Sequence, residues 1–105
     1  PLRVSPPLVR TAYAHSRDMA AGRFLSHTGS DGADAPTRLA RTGYAWRLWG
    51  ENVAAGYDSP AAVMAGWMGS AGHRDNILNP AFAEIGVDVE CSDICYWTMV
   101  LAAPQ

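Results

Sequence analysis

Small and apolar residues recur near the start of the chain at three- and four-residue steps, at Leu8, Ala12, Ser16, Met19/Ala20 and Phe24, with Arg10, Arg17 and Asp18 between them. This spacing predicts an amphipathic helix. Ser5 followed by Pro6 marks its start, an N-cap oxygen and then a ring whose missing N–H would be unpaired in the first turn anyway. The helix is expected over about residues 6 to 22. Thr28-Gly29-Ser30-Asp31-Gly32-Ala33 is turn chemistry, after which Asp34 caps a short helix running through Pro36, Leu39 and Ala40 to Gly43. From Tyr44 to Ala55 the helical period disappears, and Trp46, Leu48 and Trp49 suit a strand or strand-like segment. Ser59-Pro60 repeats the helix-start signal, with Val63/Trp67 and Met64/Met68 at four-residue spacing, and Gly69 to Gly72 is expected to end that helix. Residues 84 to 90 alternate, with Ile85, Val87 and Val89 on one face and Glu84, Asp88 and Glu90 on the other, the pattern of a half-buried strand. Cys91-Ser92-Asp93-Ile94-Cys95 connects it to an apolar run, Tyr96 to Ala102, so the C-terminal third reads as a hairpin. Helices precede antiparallel strands and no βαβ rhythm occurs, which gives an α+β class or a layered α-β-α arrangement.

Composition narrows this to one domain over residues 1–105 with enough apolar material (49%) for a core of its own. The eight basic residues are all arginine, scattered from Arg3 to Arg74, and the net charge is −2. This argues against nucleic acid or an anionic membrane surface as the main partner. The longest strongly apolar stretch, residues 99 to 103, is far short of the roughly 18 residues that cross a bilayer. The first residues carry no apolar run behind a basic flank, so no export signal is visible. That leaves either a cytosolic chain or one already trimmed. The two cysteines bracket a three-residue loop and would face each other across the hairpin, within disulfide reach. On spacing alone, a disulfide and two reduced thiols both stand.

Three polar groups sit at element edges beside small residues: Ser26-His27, Gly50-Glu51 and Gly72-His73. If folding unites them, two imidazoles and one carboxylate match either an open metal site or a Glu that orients a His. No local ligand spacing of the His-Glu-x-x-His type supports a metal. His15, among Ala12, Ser16 and Met19, reads as a packed histidine bonded to backbone. Arg38 and Arg41, one turn apart, read as a solvated face, and Arg74-Asp75 as a local ion pair. Trp46, Trp49, Tyr57 and Trp97 would serve either as core and rim or as a stacking platform for sugars or a sterol-like ring.

Longer motifs occur in order: His15-Ser16-Arg17-Asp18-Met19-Ala20, Phe24-Leu25-Ser26-His27, Arg38-Leu39-x-x-x-Gly43-Tyr44, Gly50-Glu51-Asn52-Val53-Ala54, Trp67-Met68-x-Ser70-x-Gly72-His73-Arg74-x-Asn76-Ile77-Leu78, Glu84-Ile85-Gly86-Val87 and Tyr96-Trp97-Thr98. Together they resemble the CAP superfamily of cysteine-rich secretory proteins, antigen 5 and pathogenesis-related proteins, in its bacterial branch. The resemblance implies an α-β-α sandwich with a small antiparallel sheet, secretion or cell-surface attachment, and a cleft of two His and two acids. Carried over, these positions fall on His27, Glu51 and His73, with Ser70 at the second acidic position. Asp75 or Glu84 would have to stand in for the second acid, and nothing in the sequence places either in the cleft. Relatives usually open with a helix ahead of the Pro-Leu-x-x-Ser-Pro segment, so a chain that begins at that segment is expected to be a trimmed or processed form, with either a stability cost or an exposed apolar patch as the consequence. The extracellular setting favours the disulfide between Cys91 and Cys95.

The functional expectation is a secreted or cell-surface module that binds a lipid, glycan or cell-wall component through the His/Glu cleft. The alternative is a metal-dependent hydrolase. There His27 and His73 would hold zinc or another divalent cation, Glu51 would act as general base, and Ser70 or the Asn52 amide would steady the oxyanion. A Ser70 nucleophile activated by His73 is a variant of it, and a structural cell-envelope role is a third reading.

Overall fold

The computed structural model describes residues Pro1–Gln105. The elements are β1 (Arg3–Val4), α1 (Pro6–Gly22), α2 (Ala35–Arg41), β2 (Trp46–Ala55), α3 (Pro60–Met68), α4 (Ala71–Leu78), β3 (Glu84–Cys91) and β4 (Cys95–Pro104). The start signals work as expected: Ser5, Asp34 and Ser59 are extended, each helix opens on or next to proline, and the Asp34 and Ser59 side chains accept from the N–H groups of Thr37 and Ala62. α1 closes on Arg23, a left-handed residue (φ 55°) whose N–H returns to the Met19 carbonyl.

α4 departs from the expectation that Gly69–Gly72 simply ends the preceding helix. Gly69 does stop α3, but Ser70 at once begins a second helix in which Gly72 is an interior residue. That helix buries no residue fully, so it carries no apolar stripe to betray it.

The four strands run in the order β1-β3-β4-β2, with β1 parallel to β3 and the other pairs antiparallel. β4 lies between two partners and is buried from Tyr96 to Ala103. Its even-numbered residues face α1 and α2, where Val100 and Ala102 pack on Leu8, Ala12 and Leu39. Its odd-numbered residues face α3 and α4, where Trp97, Met99 and Leu101 join Val63, Trp67 and Phe82. The chain is thus an α-β-α sandwich with a core on each side of one sheet.

β3 inverts the expected burial. Val87 and Val89 are 40% and 38% exposed on the α3/α4 side of the sheet, whereas the face that carries Glu84, Gly86, Asp88 and Glu90 lies under α1. Gly86 is the reason: the backbone of Leu8 and Val9 sits directly on it, where any Cβ would collide. Helix contact follows the missing side chain rather than the apolar positions. Ser16 adds to the same contact, its Oγ lying 3.2 Å from the Asp88 carbonyl, to which it donates, and 2.7 Å from Thr98 Oγ1, from which it accepts. At the hairpin end, Cys91 and Cys95 are register partners joined by a disulfide. No helix is long and apolar enough to cross a membrane.

Candidate functional site

β2 forms one border of the sheet, and its free edge runs between the α1–α2 layer and the α3–α4 layer. Side chains from the far layer cover its outward carbonyls: Trp67 Nε1 donates to Val53 O at 3.2 Å and Asn76 Nδ2 to Glu51 O at 3.4 Å. Along this edge lie two cavities.

The first, of about 360 Å³, is lined by His27, Asp34, Ala35, Trp49, Gly50, Glu51 and Asn76. His27 sits on the loop after α1, and that loop is fixed by main-chain bonds. His15 is buried and donates from Nε2 to the Ser26 carbonyl at 2.6 Å, which makes it the backbone-bonded packing histidine its surroundings implied. Burial holds His15 below the ordinary histidine pKa. Arg38 Nη2 donates to the His27 carbonyl at 3.0 Å and Nη1 to that of Ala33 at 2.8 Å.

Beneath His27, Glu51 on β2 is 4% exposed and engaged at both oxygens. His27 Nδ1 lies 2.7 Å from Oε1, and Arg38 Nη2 lies 2.6 Å from Oε2. The hydrogen bond that His27 donates to Glu51 raises the His27 pKa above its usual value against the opposing effects of burial and Arg38. His27 is therefore fixed in orientation, with Nδ1 committed and Nε2 left to the cavity.

Arg38 corrects the reading of a solvated Arg38/Arg41 face. Only Arg41 is exposed, where it pairs with Asp31 at 2.7 Å; Arg38 is buried. A signal for this existed: Ala35, Arg38 and Leu39 stand at helical positions i, i+3 and i+4, the buried stripe of α2.

The second cavity, of about 320 Å³, is mostly apolar. Leu25, Val53, Tyr57 and Trp67 line it together with Ser70 and His73. His73 is thus not in hydrogen-bond contact with His27 or Glu51. Its carbonyl accepts from Asn52, whose amide also bonds Asn76, so these two asparagines fasten α4 to β2. Asn52 is fully buried in that role and is not free to serve an oxyanion. Ser70 is the residue before α4 and makes no side-chain bond to His73. Glu84 pairs with Tyr44 at 2.6 Å, away from the cleft, and Arg74 and Asp75 form no ion pair. Nowhere do three or more His, Cys, Asp or Glu side chains converge as a cation would require. With Glu51 held by His27 and Arg38, and with His73 in the other cavity, the residues present do not fit a two-His-plus-acid metal centre.

The four aromatics take separate core and rim positions and form no single platform. Trp97 is buried in the core, Trp46 packs beside Leu39 and Val100, Tyr57 lies against Gly66 in the apolar cavity, and only Trp49 stands in the wall beside His27. A third cavity, of about 330 Å³ between α1 and α2, is lined by Arg41 paired with Asp31, by Asp18 bonded to Ser30, and by Arg10, which pairs with no acid.

The α-β-α sandwich is the fold that the motif resemblance implied. The chain belongs to the cysteine-rich secretory protein family, CAP, which it matches over residues 1–101. It is 37% identical to the uncharacterized protein YkwD of Bacillus subtilis over 99 residues, covering 93% of this chain and 38% of that protein. Among solved structures it resembles an extracellular protein containing an SCP domain from Bacillus anthracis, with a TM-score of 0.86 and 32% identity over 96% of this chain and 33% of that one. An outer surface protein of Borrelia burgdorferi shares the fold, with a TM-score of 0.90 at 20% identity over 99% of this chain and 78% of that one. The chain spans little more than a third of the length of YkwD and a third of the Bacillus anthracis protein.

Proposed function

We propose that this CAP domain works outside the cell as a binding module, and that its His27 cleft recognises a lipid, glycan or cell-wall component without turning it over. The observation that carries this reading is the engagement of Glu51 at both oxygens, by His27 and by buried Arg38. A carboxylate so held orients an imidazole; it is poorly placed to take a proton from a water or a hydroxyl. The cavity that contains His27 also holds no Ser, Thr or Cys to serve as a nucleophile. The Bacillus anthracis and Borrelia burgdorferi proteins, described as extracellular and outer-surface, support the location.

The test follows the His27 and His73 ring signals by NMR while phospholipid vesicles, soluble oligosaccharides and a muropeptide digest are added. The expected result is a saturable shift of His27 with one of them, and calorimetric binding of that same ligand that weakens in His27→Gln. Hydrolysis of a peptide or ester that disappears in Glu51→Gln would overturn the reading, as would calorimetric zinc binding that His73→Ala removes.

A further inference from the structure

We propose that the cavity beside His27 is a saccharide subsite in which the Trp49 ring stacks on a sugar face while Asp34 and Asn76 accept hydroxyl hydrogens and His27 Nε2 supplies the third polar contact. The proposal rests on the reading of this cleft as a binding surface and names the ligand class.

The argument starts from Trp49. It is a large apolar side chain left 38% exposed on a wall whose other lining residues are almost all polar or small. An exposed indole beside polar groups offers a flat apolar face with hydrogen-bonding partners around it, which matches the two-sided character of a pyranose ring. Trp49 and Glu51 share the sheet face that looks to α1 and α2, being register partners of Ala102 and Val100, so the indole and the residue that holds His27 stand on one side of the strand.

The polar groups then select the class. Asp34 Oδ1 is taken by the Thr37 N–H and hydroxyl, which leaves Oδ2. Asn76 spends its amide nitrogen on Glu51 O and Asn52 Oδ1, which leaves its own Oδ1. His27 spends Nδ1 on Glu51, which leaves Nε2. Two of the three open sites only accept, and no Arg or Lys lines the cavity. A phosphate or carboxylate, which only accepts, meets no Arg or Lys there and finds Asp34 and Asn76 offering acceptors of their own. A ligand rich in hydroxyl groups, each both donor and acceptor, meets all three sites. A quaternary ammonium group would find the ring and the acid, but it brings no hydroxyl to Asn76 and is opposed by His27 when that imidazole is protonated.

The test uses chitotetraose and cellotetraose as probes, with tetramethylammonium and phosphatidylglycerol vesicles as comparison arms, read by calorimetry and by the Trp49 indole N–H and His27 ring signals. The expected result is saturable binding of an oligosaccharide that moves both signals. Trp49→Ala should weaken it about tenfold or more at an unchanged thermal midpoint, and Trp49→Phe should retain most of it. The proposal falls if neither oligosaccharide moves Trp49, if Trp49→Ala binds as the parent does, or if tetramethylammonium alone shifts the two residues. Vesicles that shift His27 while both sugars leave Trp49 unmoved would remove the saccharide subsite and keep the binding module; silence in every arm would remove both.

Discussion

Asp88 carries a carboxyl oxygen, Oδ2, that is buried with no hydrogen-bond partner. Burial first, and then the hydrogen bond and charge of neighbouring Glu90, raise its pKa from 3.8 to about 7. A carboxyl whose folded pKa is raised in this way favours the fold fully below its unfolded value and ceases to do so as pH climbs towards 7. Asp88→Asn is therefore expected to stabilise the domain at pH 8 by roughly 1–2 kcal/mol, after allowance for solvent screening, and to change little at pH 4. Urea midpoints at the two pH values check this, and an equal gain at both would contradict the titration. The same scale explains which parts of the site could be read from sequence. His27 and Glu51 were legible because each sits within a recognisable motif, whereas their contact depends on a loop fixed by His15 and Arg38. Arg38 was misread because a charged residue on a short helix ordinarily faces water. Its guanidinium instead finds two carbonyls and a carboxylate in the interior, with Nε left unpaired. The separation of His73 from His27 was not legible at all, since it depends on Asn52 and Asn76 setting the position of α4.

Among the elements, α1 was readable to the residue because its start signal and its three- and four-residue steps agree. α4 was hidden for the opposite reason: Ala71–Leu78 has no buried stripe, and two glycines flanking Ser70 and Ala71 looked like a terminator. In β3 the alternation located the strand correctly and misassigned its faces, because contact with α1 is governed by Gly86. That contact is sensitive to a single methyl group. Gly86→Ala would drive a Cβ into the main chain of Leu8 and Val9, which a side-chain rotation cannot relieve. It is expected to cost about 3 kcal/mol, measured by chemical denaturation. Gly72→Ala is a useful contrast, because a Cβ there meets nothing within 4 Å and replaces an interior helical glycine. A Gly86→Ala protein as stable as the parent would mean that α1 is not seated on the strand as described.

For the molecule as a whole, the two cores on either side of β4 carry more of the stability than the hairpin staple does. The Cys91–Cys95 bond closes a short ring, with a sequence separation of 4, and on chain entropy this contributes about 2 kcal/mol. The reduced protein is expected to unfold cooperatively at a lower urea midpoint with the same slope; loss of the cooperative transition on reduction would show that the staple holds the fold. Layer order was legible from helices preceding strands, and strand order was not, because the parallel pairing of β1 with β3 depends on only two residue pairs. The coverage of Val53 O and Glu51 O by Trp67 and Asn76 also bears on how the domain meets others of its kind. A border strand with unsatisfied carbonyls is a template on which another chain can add a strand, and repeated addition leads to aggregation. In this domain two side chains from the opposite layer already occupy those acceptors. The border that frames the cleft is thereby closed to strand-by-strand growth while its side chains stay open to a ligand.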